Sequence, residues 1–334
     1  VSGREVAVMT TFNSPFRKEL EDFLSLRQAS LSKSAYDHDC RYLSDFDVFA
    51  ARYTNEKSVS EALINDWIHT LNGKSSSIAN KVIVIRIFLK YLNSIGISSY
   101  IPPIPKVADD YVPYIFSDEE LERIYLQADN IDISNTKKNP LIKFEFPMVI
   151  RLMYGCGLRI GETLALKMRD VDLISGILIM RHTKGDKQRL VPMNPFLTEI
   201  LERYCLAMGI VGVPDAWLFP VSEKDEAMTP KDAQHWFEKI LPLAEISFSG
   251  RKKHERGPCL HCMRHVFVFK SFAAAEKVGR RIDDSVPYLS IYLGHDSLQE
   301  TEKYMKFSSE LFPEAMKLFS DYSADVFPEV AYET

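Results

Sequence analysis

Two arginines, two histidines, a lysine and a tyrosine stand in this chain at spacings that could do chemistry on an anion. In the segment HCMRHVF, His261 and Arg264 are three residues apart, so on a helix they share one face and can reach one ligand together. In YGCGLRIGETLAL, Arg159 precedes Glu162 by the same interval. A guanidinium is always charged and forked, which suits it to two oxygens of one oxyanion. The stretch TKGDK offers Lys184 beside Gly185, and LGHDSLQETEKYMKF carries His295 nine residues before Tyr304. A phenol, whose reference pKa is about 10, must lose its proton to attack, and a histidine can take it. Singly, each feature has a plainer reading. His-x-x-Arg is usually a solvated helix pair, Tyr304 is one of 15 tyrosines, glycines flanking Cys156 would mark only a helix end, and TKGDK would be a hairpin tip. The weight lies in all of them occurring together. A competing pattern overlaps one segment: His254, Cys259, Cys262 and His265 have zinc-ligand types. No second Cys-x-x-Cys pair accompanies them, and the cysteines read as small packing residues, so no metal is expected.

The elements that must position these residues can be read from periodicity and punctuation. Prolines 102, 103, 105 and 113 predict an extended linker over 105–116. Before it, helices are predicted over 16–29, 32–52, 61–71 and 75–96. The last carries Ile78, Val82, Ile85, Leu89 and Leu92 at steps of three and four. This gives a helical domain over 14–104, preceded by a flexible stretch, 1–13. After the linker, Ser117 and Glu120 have capping-box spacing and open a second domain, 117–308. Helices follow over 140–156 and 160–167. GILIMRH and QRLVPM then flank TKGDK as a β-hairpin with Gly185 at its tip. From Pro195 to about Phe319 the pattern is mostly helical, with turns at 212–214, 249–258 and 279–287. The fold class is mainly α with a small β-sheet.

The 334 residues, 46% hydrophobic, are enough for two buried cores. The start has no signal-peptide core, and no apolar run is long enough for a membrane span, so a cytoplasmic, nucleoid-associated protein without membrane partners is expected. Five cysteines, an odd number, suit free thiols. The net charge of −5 argues against a nucleic-acid partner until its distribution is considered. Six carboxylates against Lys317 from Ser309 onward carry all of it, leaving residues 1–308 formally neutral. Basic groups such as Arg251, Lys252, Lys253, Arg256, Arg280 and Arg281 can still make a local positive surface.

In their order along the chain, these four segments resemble the tyrosine recombinase (phage integrase) family, of the Xer, Cre and transposon-encoded kinds. SKSAYDHDCRYLSDFDVF and SSSIANKVIVIRIFLKYL resemble its helical core-binding domain, and the likeness spans about residues 14–308. The resemblance implies a two-domain clamp on duplex DNA that cuts and rejoins strands through a 3′-phosphotyrosyl bond. It implies Tyr304 as nucleophile, Arg159 and Arg264 on the phosphate, and Lys184 as acid for the departing 5′-oxygen. His261 is then the base, His295 a donor to the phosphate, and Glu162 the orienting partner of Arg159. Contacts to DNA are expected from Lys33, Ser34, Lys74, Ser76, Lys81 and Arg86. A homotetramer on two recombination sites, exchanging strands through a Holliday junction with no cofactor, follows from the same resemblance. Accessory DNA-bending factors are left open. The connection from Arg264 to His295 is longer than usual for the family. The tail, 309–334, has an apolar face suited to docking on a neighbouring protomer. A mobile-element role is favoured over chromosome dimer resolution. A type IB topoisomerase and a catalytically silent DNA-binding protein are the alternatives. Relaxation at random sequences would mark the first, and empty catalytic positions the second.

Overall fold

Serines and apolar stripes set the first unit. The computed structural model describes residues 11–107, 113–132, 139–181, 188–221, 226–247 and 257–302, and divides the chain into two units, 1–111 and 112–334. In the first, α1 (Arg17–Ser30), α2 (Lys33–Tyr53), α3 (Glu61–Thr70) and α4 (Ser75–Ser94) form a bundle. Ser32 and Ser60 cap α2 and α3, accepting from the backbone N–H groups of Ala35 and Leu63 and so satisfying donors the helix leaves orphaned. Phe16, Leu20, Phe46, Trp67, Val82, Ile85 and Phe88 are buried at its centre, with Phe46 edge-on to Trp67. The core takes in residues ahead of the expected boundary. Phe12 is buried, and the backbone N–H groups of Asn13 and Ser14 donate to the buried Asp47 carboxylate, so the domain begins before 14.

The second unit opens with α5 (Asp118–Asp129), whose Ser117 and Glu120 make the reciprocal capping box read from the sequence. The expected linker is corrected at its end: Phe116 is buried in the core, with Tyr114 and Ile115 packed against it. The helix α6 (Ile142–Gly155) lies deep, and α7 (Ile160–Leu164) is shorter than the predicted 160–167, giving way to a 3-10 turn at Met168–Asp170. Three antiparallel strands follow in the order β1 (Val171–Asp172), β2 (Ile177–Met180) and β3 (Arg189–Pro192). Met180 pairs with Arg189, as the hairpin reading requires. The remaining helices are α8 (Pro195–Ala207), α9 (Pro230–Leu243), α10 (His261–Lys277), α11 (Ile282–Leu293) and α12 (Leu298–Glu302). The turn expected over 279–287 ends early. Pro287 lies inside α11, where it removes one hydrogen bond near the helix start and the helix survives. Among the described residues no helix is long and apolar enough to cross a membrane.

Candidate active site

The C-terminus of α11 gathers the site. A helix end leaves carbonyls without intrahelical donors and carries a partial negative charge, so it attracts cations. Three arginines from three other elements occupy it. Arg264, in the first turn of α10, donates from Nη2 to the Leu293 carbonyl at 3.0 Å and from Nη1 to the Gly157 carbonyl at 2.6 Å. Arg189, the first residue of β3, donates from Nε to the Tyr292 carbonyl at 2.9 Å. Arg159, just before α7, reaches the Leu293 and Gly294 carbonyls from Nη1 at 3.5 Å each.

Two glycines make these approaches possible. Gly294 caps α11 in the left-handed region at φ 65°, and a Cβ there would lie 2.9 Å from Nη1 of Arg189. Gly157 has φ 60°, and its Cβ would lie 2.4 Å from the Phe267 ring. The glycines beside Cys156 therefore do more than end a helix: the carbonyl of Gly157 is an Arg264 ligand.

Glu162 joins two of the arginines. Its Oε1 accepts from Nη1 of Arg159 and Nη1 of Arg189, both at 3.1 Å. Its Oε2 accepts from the Arg159 backbone N–H at 3.1 Å and Nη2 of Arg189 at 2.8 Å. Burial pushes the Glu162 carboxyl up, but the bonds and charges of Arg189 and then Arg159 outweigh it and hold the carboxyl below its ordinary range. Glu300, on α12, is the next carboxylate, 3.9 Å from Nη2 of Arg159. Among the described residues, three guanidiniums thus face one tightly bonded carboxylate, Glu162, and one more distant, Glu300, a positive excess that suits an anion. Arg159 is the most open of the three, its side chain 31% exposed against 10% for Arg189.

His295 follows Gly294 and turns its Nε2 to Nη2 of Arg264 at 2.9 Å, while Nδ1 lies 2.6 Å from Oγ1 of the buried Thr301. Burial, then the charges of Arg264, Arg159 and Arg189, push the imidazole down to about 3, against an opposing pull from Glu162. The ring is neutral at ordinary pH. Its two nitrogens lie against Arg264 and Thr301.

The structure therefore brings Arg159, Glu162, Arg264 and His295 together. His261 is the first residue of α10, exposed, its ring edge-on to that of His265 with centroids 4.7 Å apart, while Arg264 one turn on is buried. Lys184, and Lys187 beside it, lie outside the described residues, as does Tyr304, three positions after Thr301. Sequence reasoning missed Arg189. The available signal was register: in RLVP it shares the inward face of the strand with Val191.

Of the zinc alternative, His254 is outside the described residues. Cys259 and Cys262 place their sulfurs 3.6 Å apart. The contact with Cys259, then burial, pushes the Cys262 thiol up, away from the thiolate a metal needs. Among the described residues no group of three or more ligands is placed to hold a metal ion.

In the first unit, Lys33 and Ser34 open α2, Lys74 and Ser76 open α4, and all four are exposed. Lys81 lies 3.5 Å from Asp45 and over the Tyr42 ring, and Arg86 is half-buried.

Residues 116–310 match the phage integrase family. Tyrosine recombinase XerC of Chlorobaculum parvum is 30% identical over 246 residues, covering 68% of this chain and 68% of its own. Tyrosine recombinase XerA of Pyrococcus horikoshii is 26% identical over 310 residues, covering 91% and 93%. In fold, the chain resembles the XerH site-specific recombinase in its post-cleavage complex with palindromic difH substrate. The TM-score is 0.68 at 20% identity, over 90% of this chain and 84% of that one.

Proposed function

Because the chain belongs to the phage integrase family and is a tyrosine recombinase, we propose that it breaks and rejoins DNA at specific sites through a covalent 3′-phosphotyrosyl intermediate on Tyr304. The observation that carries this reading is the convergence of Arg159 and Arg264 at the end of α11, with more positive than negative charge around them. A phosphodiester in attack gains charge on its non-bridging oxygens, and two preorganised forks stabilise it without a metal ion.

The step balances without an outside energy source. The Tyr304 oxygen forms a bond to phosphorus as the bond to the 5′-oxygen breaks. His261 takes the phenol proton, and Lys184 supplies one to the leaving oxygen. A 5′-hydroxyl from a partner strand then reverses the reaction. Glu162 orients Arg159, and His295 holds Arg264. Lys33, Ser34, Lys74, Ser76, Lys81 and Arg86 are assigned to the DNA backbone, four of them at helix starts where N–H groups also favour phosphate. The assembly is a homotetramer on two sites, and its role is integration and excision of a mobile element. Attachment-like repeats beside the gene would support that role, and their absence would favour resolution of chromosome dimers.

Trapping on a nicked duplex tests the chemistry. Wild type should accumulate a covalent adduct, while Tyr304→Phe binds DNA with nearly unchanged affinity and forms none. An adduct that persists in the variant would mean that another residue attacks.

A further inference from the structure

We propose that Arg189 is a positioning residue for strand cleavage, locking Glu162 and the end of α11 together so that Arg159 and Arg264 are presented to one phosphate. The inference rests on the recombinase reading and adds a residue to it. Each oxygen of Glu162 takes one bond from Arg189 and one from Arg159, so the carboxylate that steers Arg159 is itself steered by Arg189. The third donor of the same guanidinium, Nε, holds the Tyr292 carbonyl, one residue before the Leu293 carbonyl that takes Arg264. One side chain thus ties β3 to the start of α7 and the end of α11. All three of its nitrogens are bonded inward and its side chain is 10% exposed, which fits support of the phosphate-binding groups rather than contact with the phosphate. A lysine has one nitrogen and cannot make this three-point tie. β3 begins just after the segment that contains Lys184, so the tie fixes the start of that strand to the arginines.

The groups facing Glu162 are Arg159, Arg189 and His295, with Glu300 beyond Arg159. Without Arg189, burial regains ground against Arg159 alone, and Glu162 takes up its proton at higher pH than in wild type. Protonated, it no longer holds Arg159.

Single-turnover cleavage of a nicked duplex, with DNA affinity measured in parallel across pH, tests this on Arg189→Gln and Arg189→Lys. Arg189→Gln should cleave about a hundredfold more slowly, the scale of an ångström-level misplacement, with affinity unchanged. Its acid limb should move to higher pH and vanish when Glu162→Gln is added. Arg189→Lys should keep the wild-type pH profile while recovering part of the rate. A folded Arg189→Gln that cleaves at the wild-type rate, keeps the wild-type acid limb, or loses rate only through weaker binding overturns the proposal. Should that variant not fold, full wild-type cleavage by Arg189→Lys overturns it equally. The wild-type adduct at Tyr304 is the control. If it never forms, the recombinase reading fails, whereas its formation with an unaffected Arg189 variant removes only the role given to Arg189.

Discussion

Arg264 donates to Nε2 of His295 at 2.9 Å, and this contact fixes the tautomer of the histidine. An arginine has no acceptor to offer, so Nε2 must accept, the proton must sit on Nδ1, and Nδ1 must donate to Oγ1 of Thr301 at 2.6 Å. Thr301 is three residues before Tyr304, so the histidine that contacts Arg264 also holds the chain just ahead of the proposed nucleophile. Protonation would set a cation against Arg264 and break the relay.

The first prediction follows from that relay. Nitrogen-detected NMR of the imidazole should show the neutral Nδ1–H form throughout about pH 5 to 8, the range in which ordinary histidines titrate. The folded value, about 3, is below the ordinary value of 6.5. The unfolded chain therefore binds more protons between the two, and the histidine's contribution to stability, present above about 6.5, is lost as pH falls toward 3. Denaturation of His295→Gln should lack this part of the acid slope. A His295 resonance titrating near its ordinary value would remove the tautomer assignment.

A second prediction concerns a buried acid away from the arginines. Glu145 of α6 is fully buried, and its Oε2 takes one bond, from Asn139 at 2.7 Å, while Oε1 has no hydrogen-bond partner among the described residues. Burial pushes the carboxyl up to about 7, the Asn139 bond opposing. The sign is opposite to that of a salt-bridged acid. Between the ordinary value of 4.5 and about 7 the folded state binds more protons, so stability falls as pH rises through that window, by roughly 3 kcal/mol in all. Glu145→Gln should abolish the fall, and urea denaturation at about pH 5 and pH 8 reads it directly. Equal slopes for the two proteins would mean that the carboxyl is ionised in the core.

The parts of this architecture differ in how legible they were, for physical reasons. The helices of the first unit follow from apolar spacing, because a stripe such as Val82, Ile85 and Leu89 has one way to be buried. Arg159, Glu162, Arg264 and His295 stood out by residue type and order, and they do converge. The tautomer of His295 was not legible, because it depends on which donor meets Nε2, a distance no spacing encodes. Arg189 was hidden for a related reason: a charged residue after a hairpin tip reads as solvated, and only a carboxylate and a helix end brought from elsewhere in the chain bury it. The two-residue β1 is too short to leave a pattern, and Pro287 suggested a turn where neighbouring packing sustains α11.

The last prediction addresses Lys184, which falls in sequence between β2 and β3. If it protonates the leaving 5′-oxygen, Lys184→Ala should lose about a hundredfold or more in cleavage, the usual scale of general acid catalysis. A duplex with sulfur in place of that bridging oxygen offers a leaving group whose conjugate acid is far stronger, and its expulsion needs no proton. Cleavage of that duplex by Lys184→Ala should return toward the wild-type rate. Arg159→Ala should stay slow on both duplexes, because its loss falls on the non-bridging oxygens, which the sulfur does not alter. Rescue of Lys187→Ala in place of Lys184→Ala would assign the proton to the second lysine of TKGDK. The two lysines lie three residues apart in the stretch between β2 and β3, whose register pairs Met180 with Arg189, and the sulfur substrate distinguishes them.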